Sequence, residues 1–255
     1  MSSANIILKN VYVNGVNTQA RAATLKDWFV KKKTLSSIKI PILQGVNFEA
    51  KQGDKIALIG KNGSGKSSLL KVISGIYPIH SGYLSVNGTI SPLIEMGLGF
   101  DPELSGRSNI KLSFAFRGKL ELYSKELEKH IIEFSELKDK IELPMKTYSS
   151  GMQARLAFSS VAFQDPEIFL LDEIFAAGDA GFVEKSQTFI ETKIKDSAIS
   201  ILVSHSFANI KKLCNRFILM NEGQIILEET ANNIMKKYEL DIVKIKPKTR
   251  VKENV

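Results

Sequence analysis

Hydrophobic and polar positions repeat along this chain in three different ways, and each predicts a different kind of element. Short continuous apolar runs at 55–59, 168–171, 198–203 and 217–220 show no alternation, the pattern of strands covered on both faces. Residues 6–13 and 42–50 alternate instead, with Val46 and Phe48 on one side, and are expected to pair antiparallel. Residues 82–88 read as a further strand entering a tight turn. Between 109 and 164 the period lengthens to that of helices. Leu127, Ile131 and Phe134 share a face of a helix beginning at Ser124, and Leu156, Ala157, Val161 and Ala162 line another over 153–163. Residues 68–73 predict a short helix. The segment 90–105 holds Pro92, Gly97, Gly99 and Pro102 without a long period and is expected to be a loop. A basic helix with Trp28 and Phe29 is expected over 22–33, and periodicity is lost beyond 240.

These elements imply an α/β fold: an N-terminal antiparallel β subdomain, a mainly parallel core sheet, and a helical subdomain inserted over about 105–165. One domain is expected over 1–240, followed by a basic flexible tail over 241–255. A length of 255 residues is enough for one large core. No run is as apolar and long as a membrane-spanning helix requires, and the first residues lack a secretory pattern. The single cysteine, Cys214, excludes an internal disulfide and lies in an apolar pattern that predicts burial rather than reactivity. The net charge of +8 concentrates in Lys31–Lys33 and between Lys236 and Lys252. Neither run interleaves aromatics for base stacking, so both read as solvated charge and no nucleic-acid partner is expected.

The chemistry is concentrated between the strand at 55–59 and the helix that follows it. Gly60-Lys61-Asn62-Gly63-Ser64-Gly65-Lys66-Ser67, continuing into Ser68, satisfies the phosphate-loop spacing. Glycines allow successive N–H groups to turn toward phosphate oxygens, Lys66 adds a charge, and the Ser67 hydroxyl suits Mg²⁺. The strand at 168–171 runs into Asp172 and Glu173. Beside a phosphate loop these two acids can divide the work, Asp172 holding metal and Glu173 polarising the attacking water. Ser149, Ser150 and Gly151 stand directly before a helix, where free N–H groups and the dipole suit an anion, although residue chemistry alone favours a serine that simply caps the helix.

The succession of the phosphate loop, Tyr148-Ser149-Ser150-Gly151-Met152, Leu170-Leu171-Asp172-Glu173 and Val203-Ser204-His205 resembles the ATP-binding cassette (ABC) family over residues 6–239. The resemblance implies ATP and Mg²⁺ as ligands, Glu173 as catalytic glutamate, and His205 as switch histidine. It also implies a signature at 148–152 and a D-loop at Ala177-Gly178-Asp179. Two such cassettes are implied to sandwich two ATP molecules, so that Ser149 and Gly151 of one copy close on the phosphate held by Lys66 of the other.

The chain departs from the commonest pattern at Tyr148, Ser150 and Met152, and carries Glu95 where a glutamine is usual. Those departures, with the basic insertion near 21–33, look like the ATPase subunits of bacterial polysaccharide exporters, which handle O-antigen, capsular polysaccharide or teichoic acids. The resemblance then implies a homodimer of cassettes bound to a dimer of a separate membrane permease, which contacts the polysaccharide cargo. It places the protein peripherally, on the cytoplasmic face of the inner membrane. Glu95 would reach the metal through water. Tyr12 reads as a core tyrosine, with contact to the nucleotide base as a second reading. The chain ends shortly after its last predicted helix, so no appended cargo-binding domain is expected. The alternative is a non-transport ABC ATPase acting on nucleic acid or the ribosome.

Overall fold

The computed structural model describes residues 3–16, 39–93, 97, 99–163, 165–172, 179–203 and 207–242. Strands β1 (Asn5–Val16), β2 (Lys39–Lys51) and β4 (Ser81–Asn87) form an antiparallel sheet in the order β2-β1-β4. A second sheet has the order β5-β6-β7-β3-β8-β9. Its members are β3 (Lys55–Ile59), β5 (Ile90–Leu93), β6 (Ile168–Asp172), β7 (Ile199–Val203), β8 (Arg216–Asn221) and β9 (Gln224–Glu229). All its pairings are parallel except β8 with β9.

Successive residues of β3 explain why the central strands read as unbroken apolar runs. Ile56 and Leu58 enter the cluster shared with β1, β2 and helix α1 (Lys66–Ile73), while Ala57 and Ile59 enter a second cluster on the other face. β6 divides in the same way, Ile168 and Leu170 to one side and Phe169 and Leu171 to the other. A strand with both faces covered has no use for polar alternation.

Helices α2 (Gly106–Phe116), α3 (Lys125–Ser135) and α4 (Ser150–Ala162) share a third cluster that includes Ile110, Phe114, Ile131, Tyr148 and Leu156. Each begins at a serine whose side chain accepts a backbone N–H from three residues on: Ser105, Ser124 and Ser149. Helices α5 (Ala180–Asp196), α6 (Phe207–Leu213) and α7 (Ala231–Ile242) complete the chain. No described helix is long and apolar enough to cross a membrane.

The structure corrects the pattern reading in several places. Residues 90–93 are not loop but strand β5, at the edge of the second sheet. Pro92 is tolerated there because an edge strand needs ladder donors on one side only. Helix α4 starts at Ser150 rather than at 153, since Ser149 supplies the cap. Tyr12 is not a core residue: it is 39% exposed, and its hydroxyl lies against Gly45. Strand β9 was not anticipated. Cys214 is buried as expected, and burial pushes its thiol up to about 12. The expected helix at 22–33 and the tail beyond 242 lie outside the described residues.

Candidate nucleotide site

β3 lies between β7 and β8, so the loop leaving its carboxyl end sits at the middle of the sheet, where open α/β sheets bind their ligands. Register carries a second residue to the same level. Leu58 pairs with Val203 of β7, and Val203 pairs in turn with Asp172 of β6. Asp172 and the phosphate loop therefore end on the same side of the sheet through hydrogen bonding alone.

The loop is held in a form suited to an anion. Gly65 takes φ +100° and stands at the start of α1 without a side-chain cap, and no acid occupies the first turn. The exposed N–H groups and positive dipole end of α1 thus face the cavity without a competing side chain. A Cβ at Gly65 would come within 3.0 Å of Leu43 and 3.2 Å of the Gly223 backbone. Lys66 is buried, and its Nζ donates to the carbonyls of Gly60 (2.8 Å) and Lys61 (2.9 Å). Phosphate oxygens are stronger acceptors and would draw those donors outward. Ser64 is buried and its Oγ has no hydrogen-bond partner among the described residues.

A cavity of about 810 Å³ opens at this point. Asn62, Gly63, Gly65, Lys66, Ser67, Ser68 and Asp172 form one wall. The other comes from Ile40, Pro41, Ile42 and Gln44 of β2 and the Glu222–Gly223 turn between β8 and β9. That turn is fixed on two sides. The Gly223 N–H donates to Ser64 O (3.0 Å), the Gln44 N–H to Gly223 O (2.9 Å), and Gln44 Nε2 to Glu222 O (2.8 Å). Gly223 holds φ +77°, and a Cβ there would lie 2.3 Å from Ile42 O. Only glycine fits so close an approach.

Other predicted site residues lie apart from this cavity. Gly60, Lys61 and Ser64 belong to its loop but do not line it, and Lys61 and Ser64 line a smaller cavity behind the loop instead. Ser149, Ser150, Gly151, Asp179 and Tyr12 are not among its lining residues. Ser149 and Ser150 are exposed at the start of α4, where Ser149 Oγ accepts from Met152 N at 3.3 Å. Tyr148 fastens that turn inward by donating from its hydroxyl to Lys140 O at 2.7 Å. Asp179 caps α5 and pairs with Arg155 of α4, which also reaches Glu136 at 3.0 Å. Glu95, Glu173 and His205 lie outside the described residues.

Sequence reasoning missed Arg155, the β2 wall and the turn at 222–223. Asn221-Glu222-Gly223-Gln224 between two apolar segments is a hairpin signal that points to the turn. Nothing local marks Ile40–Gln44 as part of a cavity built around residue 66.

The oxygen donors available here fit Mg²⁺, which takes one or two protein oxygens and completes its shell with water and phosphate. Ser67 and Asp172 supply such donors on one wall. Among the described residues no cluster of three His, Cys, Asp or Glu exists that would hold a metal without substrate.

Comparison with known proteins places residues 43–176 within the family described as ABC transporter. The chain is 38% identical over 236 residues to the O-antigen export system ATP-binding protein RfbE of Yersinia enterocolitica, covering 89% of this chain and 98% of that protein. It is also 38% identical over 217 residues to the teichoic acids export ATP-binding protein TagH of Enterococcus faecalis, covering 82% of this chain but 48% of that protein. Among solved structures, an ATP-binding cassette in a dimeric post-hydrolysis state bound to ADP and Pi superposes with a TM-score of 0.67. At 21% identity, over 89% of this chain and 98% of that one, the likeness concerns the fold.

Proposed function

The chain belongs to the ABC transporter family, and from that membership we propose that it is the ATP-hydrolysing subunit of a bacterial polysaccharide exporter. The observation that carries the mechanism is that Lys66, Ser67 and Asp172 line one cavity, while Ser149 and Ser150 are exposed away from it. One wall binds MgATP within the chain. The other closing surface comes from a second copy, because a capped helix start that serves no site in its own chain is well placed to serve a partner's.

In this reading the α1 N-terminus and Lys66 hold the β- and γ-phosphates. Ser67 and Asp172 are the residues that would hold Mg²⁺, which when bound neutralises charge developing on the transferred phosphate. Glu173 directly follows Asp172 in the sequence and polarises the attacking water, and His205, which follows β7, serves as the switch residue. Asp179 of the D-loop is already tied to the signature helix through Arg155. Each closure thus moves Ser149 and Asp179 together.

Export requires a separate membrane permease dimer, with which the cassettes sit peripherally on the cytoplasmic face of the membrane. Exposed Leu104, Phe116, Leu120, Leu122 and Leu143 of the helical subdomain support docking on that face. The O-antigen and teichoic acid exporters named above support a glycan polymer as cargo, contacted by the permease. Glu95 then couples nucleotide state to the permease, and Glu95→Gln should lower export more than ATPase. The proposal is tested by expressing the chain with a candidate permease in a strain lacking its own exporter ATPase. Surface polymer and membrane co-fractionation are expected with the wild type and not with Lys66→Ala. Retention on nucleic acid without membrane association would overturn it.

A further inference from the structure

Residue 136 is a glutamate where local preference asks for something else. It caps the carboxyl end of α3 in the left-handed conformation, at φ +59° and ψ +20°, a place usually taken by glycine or asparagine. Its charge also stands at the negative end of the helix dipole, and the last turn of α3 holds no basic residue to offset it. A residue that breaks two local preferences is held by its surroundings, and such positions gather at functional regions.

The compensation comes from two other helices. Lys185 of α5 donates to Glu136 Oε1 at 2.7 Å and to the carbonyl of Phe134, in the last turn of α3, at 3.0 Å. Arg155 of α4 donates to Glu136 Oε2 at 3.0 Å, and its other terminal nitrogen pairs with Asp179. Charges thus alternate from Asp179 through Arg155 and Glu136 to Lys185. Beside these ions Phe134 packs against Phe158 of α4 and against Phe182 and Phe189 of α5. Lys185 Nζ lies 4.5 Å from the centre of the Phe134 ring, and the Arg155 guanidinium 5.3 Å from that of Phe182. Apolar contact is non-directional and sets no register between helices. The charged groups do, because an arginine fork fixes the geometry of the carboxylates it meets. Ion pairs this exposed add little to stability, so stability alone does not account for them.

Building on the two-copy reading above, we infer that Glu136 and Lys185 are positioning residues for ATP hydrolysis. They hold Arg155 in one pose, and Arg155 fixes Asp179 relative to the helix that starts at the Ser149 turn. Without them, Ser149 and Asp179 reach the partner's nucleotide out of register with each other. Neither residue lines the nucleotide cavity, and both act through Arg155.

Steady-state ATPase and urea unfolding of full-chain variants separate this role from a structural one. Glu136→Gln and Lys185→Met should each lower kcat about 3- to 10-fold, while the affinity of the single chain for ATP moves by less than about twofold. Lys185→Arg keeps the charge and should retain most of the rate. Glu136→Gly is the sharpest variant, since glycine relaxes the left-handed backbone while deleting the carboxylate. Its urea midpoint should be no lower than that of Glu136→Gln, yet its kcat should fall as far. Placement of the change is a second test. When Lys66→Ala and Ser149→Arg chains are mixed, the intact site takes its serine turn from the Lys66→Ala chain. Glu136→Gln on that chain should lower the recovered rate about 3- to 10-fold, and on the other chain by less than about twofold. Equal loss from either chain, a kcat that follows the urea midpoint, or an unchanged kcat in Glu136→Gln would overturn the inference and leave the two-copy reading standing. Mixtures that recover nothing with Glu136 intact would overturn that reading, and this inference with it.

Discussion

The phosphate loop and the turn before α4, which we propose closes a second copy's site, are held by different means. The loop at 60–67 is braced on several sides: β2, the 222–223 turn and its own carbonyls fix it, and Lys66 is buried while Asn62, Gly63 and Ser67 stay exposed to a ligand. In the turn at 148–151, Ser149 and Ser150 are exposed, while the Tyr148 hydroxyl holds the turn from behind and Arg155 ties the following helix to Asp179. A site braced in this way can hold a ligand by itself. An exposed one, held from behind, is suited to pressing against something brought to it. The contrast supports the proposal that one chain carries two halves of different sites.

The largest expected effect breaks that contrast directly. Lys66→Ala and Ser149→Arg should each cut ATPase turnover by at least about 10²-fold, the usual loss when a group stabilising transferred phosphate is removed. Mixed at equal amounts they should recover about a quarter of wild-type activity, because half of randomly formed symmetric dimers then hold one intact site of two. Additive, unrecovered rates would mean that each chain completes its own site. Glu173→Gln is expected to lower turnover by roughly 10²–10⁴-fold while ATP binding persists, read by steady-state rate and by elution as a dimer. Near-normal turnover would remove Glu173 from the role of base.

Next in size is the bracing of the loop. Gly223→Ala forces a side chain to φ +77° and within 2.3 Å of Ile42 O. A destabilisation of about 1–3 kcal/mol is expected, with weaker nucleotide binding, read by urea unfolding and calorimetry. An unchanged midpoint would show that the turn does not brace the loop. Tyr148→Phe probes the fastening behind the open turn and should cost about 1 kcal/mol, the usual worth of one hydrogen bond, here to Lys140 O.

What the sequence made legible divides along the same line. The phosphate loop could be read because its chemistry demands particular residues at fixed spacing, and the central strands because burial on both faces leaves unbroken apolar runs. The second wall of the cavity could not be read. Ile40–Gln44 and Glu222–Gly223 are brought to residue 66 by sheet pairing and turn hydrogen bonds between distant segments, and their residue types carry no phosphate signature. Strand β5 was hidden by Pro92, whose cost depends on lying at an edge that only the sheet order reveals. Arg155 was hidden because an arginine on a helix reads as solvated until Asp179 and Glu136 are placed beside it.

The smallest expected effect concerns that bridge. Lys185 donates to Glu136 Oε1 at 2.7 Å, and Arg155 pairs with the other oxygen. The hydrogen bond from Lys185, joined by the charges of Lys185, Arg155 and Lys138, holds the Glu136 carboxyl below the usual carboxylate range despite some desolvation. A depressed folded-state pKa adds stability that is present above the unfolded value, about 4.3, and lost as pH falls through the folded value. Glu136 is substantially exposed, so solvent screening limits the contribution to under about 1 kcal/mol. Glu136→Gln should therefore be slightly less stable than wild type at pH 7, with the gap narrowing as pH falls below about 4, followed by urea midpoints. Added salt should shrink the gap at pH 7 as well. A gap that ignored both pH and salt would assign the effect to packing, and Arg155 would then hold Asp179 without electrostatic help from Glu136.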